Sequence, residues 1–153
     1  KLPSVYNMVK LETQLHLDFL NIKYYEYNYR YQLEDTNLYI QHSPPSYAKN
    51  GAMTSLESKL DTCSIYGCTH RKQLAARTGD SGQEYYVVFN GWLGSSALSP
   101  AHKKVFSYMK GHQNWQQCMS IVTVIDRKDH FTDVIAINNG KAVYNDTYYV
   151  GQK

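Results

Sequence analysis

Residues 52–76 read AMTSLESKLDTCSIYGCTHRKQLAA, and whether this stretch forms helix or strand decides the fold class. Leu56, Leu60, Leu74 and Ala75 stand among good helix formers, and Thr54 or Ser55 supplies an N-cap, so the stretch predicts a helical middle. Farther on, Ser99-Pro100 has the N-cap and first-turn pattern, and Val105, Phe106 and Met109 follow at helical spacing. A second helix is therefore expected over Pro100 to Lys110, with Gly111 as its stop.

On both sides of this middle the periodicity is two. Val9, Leu11, Thr13, Leu15, Leu17 and Phe19 alternate with mostly polar neighbours, and after a one-step slip Tyr25, Tyr27, Tyr29, Tyr31 and Leu33 do the same. Residues 8–33 are thus expected to be strand-rich, with either a bulge near Leu20 to Lys23 or a turn at Asn21 absorbing the slip. Leu38-Tyr39-Ile40 reads as a short strand ended by Ser43-Pro44-Pro45-Ser46. Gly79-Asp80-Ser81-Gly82 reads as a turn before a strand at Tyr85 to Phe89, and Asn90-Gly91 is a further turn signal. The tail reads as strands at Ser120 to Ile125, Phe131 to Ile137 and Ala142 to Tyr144, separated by polar turns. The order strands, helices, strands predicts one α+β domain: strand-rich over 1–42, helical over 52–118, and a strand meander over 119–150. An antiparallel sheet from both chain ends, with two or three central helices packed on one face, is the expected architecture.

Composition limits the function classes. A chain of 153 residues has room for one compact domain, and 42% hydrophobic residues, even with 15 residues being Tyr, support a packed core. No stretch approaches the roughly 20 apolar residues of a bilayer-spanning helix. The net charge of +3, without a run of like charges, argues against a dedicated nucleic-acid arm. Cys63, Cys68 and Cys118 are too few for a disulfide scaffold and lack the paired spacing of a zinc site. No H-E-x-x-H pattern occurs, so neither a metal nor another cofactor is expected. The chain begins with Lys1 where an intact reading frame has Met, which fits a processed or excised form and hints at secretion. Asn145-Asp146-Thr147 matches a glycosylation acceptor, a pattern too short to carry weight.

Among reactive groups, Cys68 follows Gly67 and opens the expected helix, where the helix dipole and unpaired N–H groups would stabilise a thiolate. A thiolate hydrolase also needs a base and an orienting group, and His130 and Asp146 lie downstream on the C-terminal strands, which the Asn139-Gly140 turn brings side by side. The segment from Asp129 through His130 to Lys141 resembles the strand-turn segment around the catalytic histidine of papain-like and NlpC/P60-type cysteine hydrolases. The resemblance covers residues 63–150. It implies amide hydrolysis, as a peptidase, amidase or deamidase on a protein or peptide substrate, with Cys68 as nucleophile, His130 as proton shuttle and Asp146 orienting the imidazole. It also implies a secreted or delivered toxin or effector module, with or without a cognate partner protein. Simpler readings stand beside these: Cys68 as a small buried hydrophobe or the disulfide partner of Cys63, and His130 as a solvated turn residue.

Three other signals compete. Gly79-Asp80-Ser81-Gly82 matches the nucleophile loop of chymotrypsin-like proteases, but too few residues precede Ser81 for a two-barrel enzyme, and an ordinary tight turn uses the same letters. The groups His70-Arg71-Lys72, His102-Lys103-Lys104, His112 and Arg127-Lys128 with His130 could serve a metal-independent ribonuclease, or simply mark solvated faces. The row Tyr25, Tyr27, Tyr29 and Tyr31 could form the recognition face of a secreted, non-enzymatic module for a protein or glycan partner, or pack as a half-buried strand face.

Overall fold

A computed structural model of the chain describes residues 10–17, 19–45, 61–94 and 114–151. These residues contain one turn of helix, α1 (Leu11–Gln14), and nine strands: β1 (Tyr31–Gln32), β2 (Leu38–Gln41), β3 (Cys63–Tyr66), β4 (Gln73–Thr78), β5 (Glu84–Phe89), β6 (Cys118–Ile125), β7 (Asp129–Ala136), β8 (Lys141–Tyr144) and β9 (Thr147–Val150).

The expected α+β class is overturned, because the described chain is mostly strand and holds no helix beyond α1. Within 52–76, the stretch assigned to helix, Cys63–Tyr66 and Gln73–Thr78 are both strands. Leu74, Ala75 and Ala76 favour helix by a few tenths of a kcal/mol per residue, and pairing of all six β4 residues with β5 outweighs that preference. Leu56, Leu60 and the helix expected over Pro100 to Lys110 lie outside the described residues. Among the described residues the alternation over 8–33 also yields less strand than expected, Tyr31–Gln32 alone: Leu11–Gln14 forms the helical turn α1, and His16, Asn21 and Asn28 adopt positive φ and turn the chain.

The main sheet has the order β1-β2-β3-β5-β4. Its centre is parallel, β3 lying between β2 and β5 with both in parallel register, and only the flanking β1–β2 and β4–β5 pairs are antiparallel. The C-terminal strands do not join it, so the expected sheet from both chain ends is likewise corrected: β6–β7 and β8–β9 are separate two-stranded ribbons. Parallel central strands are covered on both faces, which is why all four residues of β3 are buried and why Val87-Val88-Phe89 is an unbroken apolar run.

Alternation divides that interior into two clusters. Leu38, Cys63, Ile65 and Val88 face one side, where Val122 and Val134 of the β6–β7 ribbon pack onto them. Tyr66, Val87 and Phe89 face the other, with Tyr66 and Phe89 edge to face at 5.9 Å between ring centres. The ribbon therefore lies across the first face, and the β7 positions that share parity with Val134, namely Thr132 and His130, are directed toward the sheet.

Turn chemistry fixes the ribbons. Asn145 and Asp146 both adopt positive φ between Tyr144 and Thr147, the two-residue turn that matches strand twist. Asn139-Gly140 does the same between Asn138 and Lys141, which exchange backbone hydrogen bonds of 2.8 and 3.0 Å. Gly79-Asp80-Ser81-Gly82 is the β4–β5 turn: Gly79 donates its N–H to the Gln83 carbonyl at 2.7 Å, and Gly82 has φ +81°.

Candidate functional site

His130 is the most elaborately held polar side chain of the ribbon. Its Nε2 lies 2.6 Å from Asn37 Oδ1 and its Nδ1 lies 2.7 Å from the Tyr86 hydroxyl, which is also 2.6 Å from Thr132 Oγ1. With the Asn37 amide presenting its oxygen, Nε2 must carry the proton, so Nδ1 of the neutral ring accepts from Tyr86 and the Thr132 hydroxyl donates to the Tyr86 oxygen. Burial lowers the His130 pKa, opposed by the neighbouring Asp129 carboxylate. Burial raises the Tyr86 phenol to about 12, with the Thr132 hydrogen bond pulling the other way. Both shifts keep the pair uncharged near neutrality.

This network borders an open cavity of about 510 Å³ between the β4–β5 end of the sheet and the start of β7. Leu74 and Ala76 supply apolar wall, Tyr86, Thr132 and His130 the hydrogen-bonding groups, and Glu84 and Asp129 the charge. Cys63 also borders it, with a thiol raised by burial.

The residues proposed for amide hydrolysis are not brought together. Cys68 does not open a helix; it sits in the loop after β3, and the next regular element is the strand β4. Its N–H donates to the His42 carbonyl at 2.8 Å, beyond the end of β2, whereas His130 binds Asn37, ahead of the start of β2. At about 3.3 Å per residue, roughly 16 Å of strand separates those two anchor positions. Asp146 is a residue of the β8–β9 turn and borders a different surface depression, together with Asp133 and Tyr148. Positive φ at a two-residue hairpin turn accounts for an Asp there. All three cysteines are free, so the alternative Cys63–Cys68 disulfide is not formed.

The remaining histidines divide. His70 stacks on Trp92 at 5.7 Å and meets Trp115 edge-on at 4.5 Å, and burial and nearby His42 lower its pKa. His102 and His112 lie outside the described residues. No group of three or more His, Cys, Asp or Glu able to hold a metal occurs among the described residues.

The tyrosine row forms a cluster in which Tyr31 alone stands on a strand, at the start of β1. The turn at Tyr27-Asn28 folds the chain back, so that Tyr25 and Tyr29 stack at 4.6 Å with 16° between ring planes, and Tyr31 tilts against Tyr25 at 5.2 Å. Tyr27 sits at the tip, 74% exposed, its ring 5.5 Å from that of His42 and its hydroxyl 3.2 Å from Ser43 Oγ. Tyr29 is 53% exposed. The Lys23 ammonium lies 5.0 Å from the Tyr25 ring centre.

Searches against family models, curated proteins and solved structures gave no match. Sequence reasoning identified His130 and the tyrosines but missed Tyr86 and Glu84 of β5, Asn37 just ahead of β2, and Thr132 two residues along β7, which reach His130 or border its cavity. One local signal for the Tyr86 contact existed: His130, Thr132 and Val134 alternate on one side of a strand, which marks His130 as facing inward.

Proposed function

We propose that the protein is a non-enzymatic recognition module that captures a protein or glycan partner through Tyr25, Tyr27 and Tyr29. The observation that carries this reading is an aromatic cluster ordered by its own stacking yet left in contact with solvent, Tyr27 at 74% and Tyr29 at 53% exposure. Tyrosine rings held in place offer contact area at small entropic loss, and exposed hydroxyls beside them add hydrogen bonds, the combination that recognition surfaces favour. Tyr27 packs on His42 and Ser43, side chains themselves at the surface, so its ring contributes little to the buried interior. The amide-hydrolase reading finds less support, since its nucleophile and base are anchored at opposite ends of β2.

The test uses a displayed peptide library and a printed glycan array, probed with the unsubstituted protein and with the Tyr27→Ser, Tyr29→Ser double variant. Enriched binding to one panel that the double variant loses, with the melting temperature unchanged within about 2 °C, is expected. Equal binding by the double variant, or a large loss of stability, overturns the reading.

A further inference from the structure

The cavity beside His130 carries a charge opposite to that of the whole chain. The protein has a formal net charge of +3, yet the cavity is bordered by the carboxylates of Glu84 and Asp129 and, among the described residues, by no lysine or arginine. Arg127, in the turn before β7, is engaged elsewhere, its Nε lying 3.4 Å from Asp35 and 4.0 Å from Glu34. Held neutral, His130 does not offset the two carboxylates.

Shape and lining agree with a ligand of modest size. A volume of about 510 Å³ falls within the range of small-molecule sites, which combine an apolar wall with a few fixed polar groups. Here the wall includes Leu74, 58% exposed, on the edge strand β4, with Ala76 beside it. The fixed polar groups are the Tyr86 and Thr132 hydroxyls, pinned by the hydrogen bonds that dock β7 on the sheet. A side chain as apolar as Leu74 left open to water on a cavity wall gains from contact with an apolar body.

We infer that this cavity binds a small organic cation, an amine whose ammonium group lies between Glu84 and Asp129 and whose apolar body rests on Leu74 and Ala76. The site is separate from the tyrosine cluster, and its occupancy does not depend on the recognition role of that cluster. Because both carboxylates are exposed, the attraction weakens with added salt.

The test is a charge series of one shape on the full chain: 2-phenylethylamine, 2-phenylethanol and 3-phenylpropanoate, followed by NMR through the backbone amides of Glu84, Tyr86 and Thr132. The amine alone is expected to shift these signals saturably, the alcohol weakly and the carboxylate not at all. Glu84→Gln and Asp129→Asn should each weaken the amine about threefold, the size of an exposed ion pair. Equal response to amine and alcohol, response to none of the three, or unchanged amine binding in the two variants overturns the inference. The charge series on the unsubstituted protein decides the matter even if a variant fails to fold.

Discussion

The Tyr86 hydroxyl hydrogen-bonds His130 Nδ1 at 2.7 Å, and this contact joins two separate sheets. Tyr86 belongs to β5 and His130 to β7; through Nε2 the same imidazole also reaches Asn37, just ahead of β2. One ring thus links the ribbon to two strands of the main sheet. Tyr86→Phe keeps the ring but leaves Nδ1 and the Thr132 hydroxyl without their shared partner. A loss of about 1–3 kcal/mol is expected, the range for unpaired part-buried polar groups, read from the denaturant midpoint. A midpoint equal to that of the unsubstituted protein would contradict the role of this contact.

Acidification should loosen the same junction. Burial lowers the pKa of both His130 and His70, aided at His70 by His42 and opposed at His130 by Asp129, from an ordinary value of 6.5. The folded state therefore disfavours the protonated rings, so their contribution is complete above pH 6.5 and is lost as the pH falls below it through the lower folded values. The melting temperature should be flat from pH 8 to 7 and decline from 6.5 toward 5, before most carboxylates titrate. His130→Gln should reduce the slope; equal melting temperatures at pH 7.5 and 5.5 would refute the assignment.

Gly91 marks a second tight junction. A Cβ there would collide with the Gln116 carbonyl oxygen and stand 2.9 Å from Cys118 Sγ, so the loop after β5 approaches the start of β6 closely only because that position has no side chain. Gly91→Ala should destabilise by about 1–3 kcal/mol, the usual effect of overpacking, measured by urea unfolding. An alanine variant as stable as the parent would show that the two segments move apart freely.

The thiols should react in two classes. Cys63 and Cys118 are buried, with pKa values raised by burial, while Cys68 is partly exposed. Ellman's reagent at pH 8 is expected to titrate one thiol rapidly in the folded protein and the other two only after denaturation. Rapid reaction of two or three thiols would show that the interior around Cys63 or Cys118 opens readily.

What could be read from the sequence was local. Strands near Leu38, Tyr85, Ser120, Phe131 and Ala142 announced themselves by alternation or apolar runs, and the polar turns between the last of them lie where their Asn, Asp and Gly residues indicated. What misled was propensity without partners. Leu74-Ala75-Ala76 prefers helix in isolation, and only pairing with Val88, Val87 and Tyr86 makes it a strand. The tyrosine alternation suggested a strand, but a left-handed Asn28 broke it into a turn, bringing Tyr25 over Tyr29. The cavity was invisible for a related reason: Glu84, Asp129 and Leu74 come from three strands, and no spacing along the chain encodes their meeting.

The parallel placement of β3 has a kinetic consequence. The β4–β5 and β6–β7 hairpins close over a few residues and can zip early, but β3 contacts both neighbours through long connections whose closure entropy must be met before any pairing rewards it. Until β3 arrives, the flank of β5 along Val87-Val88-Phe89 is an uncovered apolar edge, inviting another chain to take the vacant place. Renaturation from denaturant should therefore give a higher yield of folded, unaggregated protein when dilute than when concentrated, with the late strand setting the pace.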